Sequence, residues 1–131
     1  MTDRRDVTGV WYGRYAGFLY GQDNSFIAVL EEQGGVFFGT ITEPDDNGIA
    51  DIRRASVHGQ RDGAAVRFVK QYDGTGGWDH AVTYAGTIDG EGSRIAGRWL
   101  HDGWGASFTM AREQFSAEAL EEEEEVELTV R

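Results

Sequence analysis

Glycine residues recur inside runs of alternating apolar and polar residues along most of this chain. Examples are Gly9-Val10-Trp11-Tyr12-Gly13, Phe37-Phe38-Gly39-Thr40-Ile41 and Ile95-Ala96-Gly97-Arg98-Trp99. Alternation with a period of two predicts β-strands, and a glycine within a strand marks a bend or a close approach of another backbone. Repeated along consecutive strands, such bends are what the closure of a small barrel requires.

Eight runs of this kind are separated by short connectors rich in Gly, Asp and Asn, which are typical of hairpin turns. No connector is long enough for a crossover helix, so consecutive strands are expected to pair in antiparallel order. The sequence therefore predicts an all-β fold, an eight-stranded antiparallel up-and-down meander barrel within residues 1–112. The predicted strands are 9–18, 24–32, 35–43, 50–60, 64–72, 80–89, 94–101 and 105–112.

An acidic extension, residues 113–131, follows the predicted barrel and contains eight glutamates and one arginine. Ser116 could cap a short helix that continues to Glu125, and residues 126–131 alternate as an additional strand would. The alternative is a disordered acidic tail.

Composition narrows the class of protein. The 131 residues fit one domain, contain no cysteine and carry a formal net charge of −11. The absence of cysteine excludes disulfides and thiolate chemistry, and the negative charge argues against binding to nucleic acid or to anionic membranes. No apolar stretch has the pattern of a signal peptide or the length of a membrane span, so a cytoplasmic location is the default expectation.

The predicted barrel has two unlike ends. Its second, fourth and sixth connectors are terse, whereas three of the four connectors at the other end carry aromatic residues. Because ligand sites favour barrel mouths, we expect the aromatic end to bind a small hydrophobic or amphipathic molecule. The candidate ligand-binding residues are Tyr20, Lys70, Tyr72, Trp78, His80, Tyr84, Trp99, His101 and Trp104.

Each candidate has a structural alternative. Tyr84 and Trp99 lie inside predicted strands and could fill the core, whereas Trp78 and Trp104 lie in glycine-rich loops, which favours binding. Lys70 is the charged residue that departs most from the otherwise apolar set of side chains predicted to point into the barrel. It could sit near the mouth and reach water, or it could bind an anion inside the pocket.

No pattern of residues predicts catalysis, a metal or a cofactor. His80 and His101 fall on neighbouring strands and could hold a metal or haem with Asp79 or Asp102, but each pairing is also ordinary loop chemistry. The acidic pairs 31–32 and 45–46 form no glycosidase arrangement, and Arg53-Arg54 is interpreted as a charge pair on the strand surface. A small isomerase- or hydrolase-like enzyme using a polar group in the barrel is therefore the lower-ranked alternative.

A patch of apolar side chains is predicted on the outside of the barrel. Ile27, Val29, Val36 and Phe38 would point outward on neighbouring strands, and exposed patches of this kind mark interfaces. The chain is therefore expected to form a homo-oligomer. A structural or assembly module that acts without a small ligand is the alternative function.

Two segments carry a family resemblance that covers about residues 7–112. Gly9-Val10-Trp11-Tyr12 resembles the Gly-x-Trp opening of the lipocalins, and Arg112 resembles the arginine that packs across that tryptophan. The short strands and tight hairpins are also similar to the avidin and streptavidin branch of the calycin superfamily. The resemblance implies a calycin barrel whose closed end is sealed by Trp11 and Arg112 and whose mouth binds a small, partly apolar molecule. The chain has no counterpart of the lipocalin Thr-Asp-Tyr segment or of the full polar set that avidins use for biotin.

Overall fold

Eight strands in chain order close into an antiparallel barrel, which confirms the predicted fold class. The computed structural model of the protein describes residues 3–17, 23–45 and 51–112. Tyr20, Asp46 and the acidic extension at 113–131 lie outside the described residues. The strands are β1 (Gly9–Tyr15), β2 (Asn24–Gln33), β3 (Val36–Pro44), β4 (Ile52–Asp62), β5 (Ala65–Tyr72), β6 (Ala81–Ile88), β7 (Arg94–His101) and β8 (Trp104–Ala111).

The interior of the barrel is packed with large aromatic and aliphatic side chains. Because alternate residues of each strand point inward, the apolar positions of the sequence meet in one core. The rings of Phe68 and Tyr84 stack with centroids 4.7 Å apart, and Phe108 meets Tyr84 edge-on at 5.0 Å. Other buried members of this core are Trp11, Phe26, Leu30, Phe37, Ile41, Val66, Ile88, Ile95 and Met110.

Strand-interior glycines lie where neighbouring backbones come closest. A Cβ added at Gly39 would overlap the carbonyl oxygen of Val29, and one added at Gly97 would overlap the carbonyl oxygen of Ala85. Neither position has room for a side chain. The glycine pattern therefore reflects the close packing of adjacent strands as the barrel curves.

The closed end brings Trp11 and Arg112 together. The guanidinium carbon of Arg112 lies 4.3 Å from the Trp11 ring centroid. Arg112 also donates hydrogen bonds to the carbonyl oxygens of Thr8, at 2.6 Å, and Gly92, at 2.9 Å. One guanidinium thus joins the segment before β1 to the turn before β7.

The opposite end, which we call the open end, has longer connectors and one tight hairpin. Residues Thr75–Gly77 form a 3₁₀ turn between β5 and β6, and Trp78 follows directly. Asp102 and Gly103, both with positive φ, make a two-residue turn between β7 and β8. The expectation that Trp104 lies in a loop is therefore wrong, because the short turn makes it the first residue of β8. In the described part of the chain, no helix has the length and apolar character needed to cross a membrane.

Candidate functional site

Three charged side chains are buried inside the barrel at the level where the apolar core ends. Glu43 of β3, Arg53 of β4 and Lys70 of β5 are each no more than 1% exposed. Lys70 Nζ lies 3.2 Å from Glu43 Oε1, and Arg53 Nη2 lies 3.3 Å from Glu43 Oε2. Charges withdrawn from water in this way are tolerated only when they are paired and hydrogen-bonded. We call these three residues the charged cluster.

Neutral donors complete the surroundings of the Glu43 carboxylate. The hydroxyl groups of Tyr15 and Tyr72 donate to it, and the Asn24 side-chain amide donates to Oε2 at 3.1 Å. These residues come from β1, β2 and β5, so a single carboxylate connects strands on opposite sides of the barrel.

Aromatic faces surround the ammonium group of Lys70. Its Nζ lies 4.6 Å from the ring centroids of Tyr15 and Tyr72 and 5.2 Å from that of Tyr84. Each ring presents its electron-rich face to the cation, an attraction that strengthens when water is absent. Lys70 is also the single lysine of the chain.

Trp78 covers the charged cluster from the open end. The guanidinium carbon of Arg53 lies 3.7 Å from the Trp78 ring centroid, and Arg53 Nη1 lies 3.1 Å from Asp45 Oδ1. A Cβ at Gly76 would be only 2.8 Å from Arg53 Cγ. The 3₁₀ turn therefore rests directly on the Arg53 side chain.

The protonation of the cluster follows from its environment. Burial raises the pKa of Glu43, but the Lys70 charge and the Tyr15 and Tyr72 hydrogen bonds outweigh burial, so the pKa is lowered overall. Burial lowers the pKa of Lys70 from 10.5 to about 8, against the opposing pull of Glu43. Burial and the Glu43 charge raise the pKa of Tyr15 to about 12. At neutral pH the cluster therefore holds a carboxylate, an ammonium group that titrates within reach of physiological pH, and a neutral phenol.

A row of rings runs from the cluster to the rim of the open end. Ring centroids are 5.2 Å apart for Tyr72 and Trp78, 5.3 Å for Trp78 and His80, and 4.5 Å for His80 and His101. Burial, followed by the neighbouring His101, lowers the pKa of His80. No group of three or more metal-ligating side chains converges within residues 3–17, 23–45 and 51–112.

Trp99 and Trp104 lie on the neighbouring strands β7 and β8 at the rim of the open end. The Trp99 indole donates to the carbonyl oxygen of Ala16 at 2.7 Å and packs partly against the core. Trp104, which pairs with His101 across the β7–β8 hairpin, is 55% exposed. The described candidates thus divide into buried residues around the cluster and residues of the row and rim. The first group is Lys70, Tyr72 and Tyr84, and the second is Trp78, His80, Trp99, His101 and Trp104.

Two members of the cluster, Glu43 and Arg53, were not predicted from the sequence. The interpretation of Arg53 as a surface charge is wrong, because its side chain is completely buried. Alternation contains the missing signal, since Glu43 is two residues after Ile41 and Arg53 two residues before Ala55, on the inward face in each case. Lys70 does not reach water, because its side chain is 1% exposed and is paired with the equally buried Glu43.

The structure is similar to small β-barrels made by design. It matches a redesigned β-barrel, b11L5F_LGL, at 12% sequence identity and a TM-score of 0.69, covering 86% of this chain and 96% of that one. A redesigned barrel, mFAP1, bound to DFHBI, matches at 11% identity and a TM-score of 0.68, covering 86% and 100%. A de novo designed fluorescence-activating β-barrel matches at 15% identity and a TM-score of 0.61, covering 86% and 100%. No family model and no curated protein matches the chain.

Proposed function

We propose that the protein binds a small amphipathic molecule at the open end of the barrel. The apolar part of the ligand would lie against the aromatic rim formed by Trp78, Trp99 and Trp104. Its polar group would be directed towards Lys70 and Arg53. The observation that carries this proposal is the position of the charged cluster, which lies buried directly beneath aromatic side chains.

A purely structural role accounts poorly for the charged cluster. A buried ion pair can usually be replaced by apolar side chains of similar volume without loss of stability. The other half of this barrel is filled in that way, by residues such as Phe37, Ile95 and Met110. Buried groups with shifted pKa values, such as Lys70, concentrate at functional sites.

The Lys70 ammonium defines the chemistry of the polar group. Within the described residues it donates one hydrogen bond, to Glu43, and the faces of Tyr15 and Tyr72 lie near it. An ammonium group has three donors, so Lys70 retains capacity for a further acceptor. The ligand would supply a carboxylate or carbonyl oxygen, and its aromatic or aliphatic body would stack against the Trp78 ring that lies over Arg53. The barrel of mFAP1, which is similar in fold, holds the small molecule DFHBI.

Binding can be tested with 8-anilinonaphthalene-1-sulfonate, which combines an aromatic body with an acidic oxygen group. We expect saturable binding by calorimetry, with a change in tryptophan fluorescence that Trp78→Phe diminishes. Lys70→Met should weaken binding at least tenfold, whereas Arg67→Met, an exposed position on the same strand, should leave it unchanged. Absence of saturable binding, together with no copurifying small molecule by native mass spectrometry, would refute the proposal.

A further inference from the structure

The outer surface of β1, β2 and β3 exposes six large apolar side chains. Their exposed fractions range from 45% to 63%. The strand register places Val10 opposite Val29 and Tyr12 opposite Ile27, whereas Phe38 lies beside Glu31 and diagonally across from Val29. Soluble monomers rarely expose apolar patches this extensive, and those that exist are commonly binding surfaces. We call these residues the apolar face; they are Val10, Tyr12, Ile27, Val29, Val36 and Phe38.

The outward side chains of these three strands include only two charged residues, Arg14 near the open end and Glu31 beside Phe38 towards the closed end. Arg14 is paired with Ser25 near the open end, whereas Glu31 lies six residues further along β2, towards the closed end. At about 3.4 Å per residue, this places the two charges roughly 20 Å apart along the strands. The midpoint between them falls at Ala28, between the exposed side chains of Ile27 and Val29.

This arrangement is complementary to itself. A two-fold axis lying in the contact plane, perpendicular to the strands at the level of Ala28, would bring Arg14 of one copy to the level of Glu31 of the other, one strand to the side. This gap of about 4.8 Å is one that the long arginine side chain can span. The same rotation would place Ile27 against Val29 at the centre. Closed homodimers use isologous contacts of this kind, in which one surface patch meets itself.

A groove on the outer wall fits the same rotation. It has a volume of about 590 Å³, and Tyr12, Ser25, Thr42, Pro44 and Ile52 are among its lining residues. Phe38, which pairs with Glu31, lies towards the closed end of β3. Reversing the strands about Ala28 carries Phe38 to the level of Ser25, which is where the groove opens on β3. The proposed two-fold rotation therefore places Phe38 of one copy at the groove of the other.

We propose that the apolar face binds a second copy of the chain, forming a two-fold symmetric dimer. Arg14 pairs with Glu31 at both edges, and Phe38 inserts into the groove of the partner. The acidic extension is the less suitable occupant, because it would bring its glutamates next to Glu31.

Sedimentation velocity of the full chain, over a hundredfold range of concentration, tests the dimer. We expect a concentration-dependent dimer that Val29→Glu abolishes and that Leu100→Glu, an exposed apolar position on β7, leaves intact. Arg14→Glu and Glu31→Arg should each raise the dimer Kd about tenfold, and the double reversal should restore it. Circular dichroism verifies that each variant is folded.

Three results would overturn the proposal. The full chain could remain monomeric throughout, Val29→Glu could dimerise as well as the unmodified chain, or the double charge reversal could fail to restore the affinity lost in the single variants. If the full chain is monomeric but a chain ending at Arg112 dimerises, the acidic extension covers the face and the proposal is wrong for the intact protein.

Discussion

Lys70 and Glu43 form an ion pair 3.2 Å long, with only 1% of either residue exposed to solvent. Arg53 approaches the second oxygen of the same carboxylate and also pairs with Asp45, so Glu43 is the anion that both cations of the charged cluster contact. Glu43 is therefore the residue that links Lys70 to Arg53. The energetics of the cluster can therefore be measured by removing its members one at a time.

The stability losses caused by removing Lys70 and Glu43 should not be additive. Lys70→Met and Glu43→Gln should each lower the free energy of unfolding by about 3 kcal/mol, because the first leaves Glu43 with one of its two cations and the second leaves Lys70 without a carboxylate. In the double variant the loss should be clearly smaller than the sum of the two single losses. Urea denaturation measures all three, with the exposed Arg67→Met as the control. Strict additivity of the two single losses would contradict the pairing.

Titration of Lys70 can be observed directly, because no other lysine contributes a signal. In protein labelled with ¹⁵N at the lysine side chain, the Nζ resonance should titrate with a midpoint near the pKa of about 8 that burial produces. A midpoint near 10.5 would contradict the burial of the ammonium group.

Stability should respond to the same titration. The pKa of Lys70 is lower in the folded than in the unfolded chain, so the unfolded state binds more protons between pH 8 and 10.5. The free energy of unfolding should therefore rise with pH in this window, by about 3 kcal/mol over its full width. Above pH 10 the raised pKa of Tyr15 acts in the opposite direction, because the unfolded chain loses that proton first. The interval from pH 8 to 10 is thus the informative one. The rise should be absent in Lys70→Met.

The stability of the closed end should depend on the several hydrogen-bond donors of the Arg112 guanidinium group. Arg112→Met removes hydrogen bonds to several carbonyl groups and the contact with Trp11, so we expect a loss of about 2 kcal/mol or more. Arg112→Lys should recover less than half, because an ammonium group cannot reach these carbonyl groups in the same plane. Thermal denaturation compares both with Arg98→Met, an exposed position on β7. A lysine variant as stable as the unmodified chain would contradict this role.

A methyl group at Gly97 should be strongly destabilising. It would overlap the carbonyl oxygen of Ala85 and lie 2.5 Å from the Cα of Gly86, and neither backbone atom can move without separating β6 from β7. We expect Gly97→Ala to cost about 3 kcal/mol or more. Gly90→Ala is a matched control, because its nearest neighbour is 3.9 Å away and its loss should stay within about 0.5 kcal/mol. Equal effects of the two substitutions would show that the strands are not in close contact.

The fold was predictable because period-two alternation is a local property of the sequence, and Trp11, Phe37 and Phe108 lie inward as their neighbours indicate. Lys70 was recognisable as a misfit on the same basis. The ion pair between Glu43 and Arg53 could not be predicted in this way, because it depends on the register of β3 against β4, which pairs these two residues directly. The position of Trp78 over Arg53 could not be predicted either, since it is set by the backbone of the 3₁₀ turn.

The contact between β1 and β8 has a consequence for how the chain folds. It comprises four residue pairs, from Tyr12 with Ala111 to Tyr15 with Phe108, and joins residues nearly a hundred positions apart. Every other strand pair is a hairpin between consecutive strands. Because the entropy lost on closing a loop grows with its length, hairpins can zip locally before the first and last strands meet. We expect this junction to form last, with amide protection in a pulsed hydrogen-exchange experiment appearing there after it appears in the β3–β4 hairpin. The rate-limiting event would then be the joining of the two ends of the sheet.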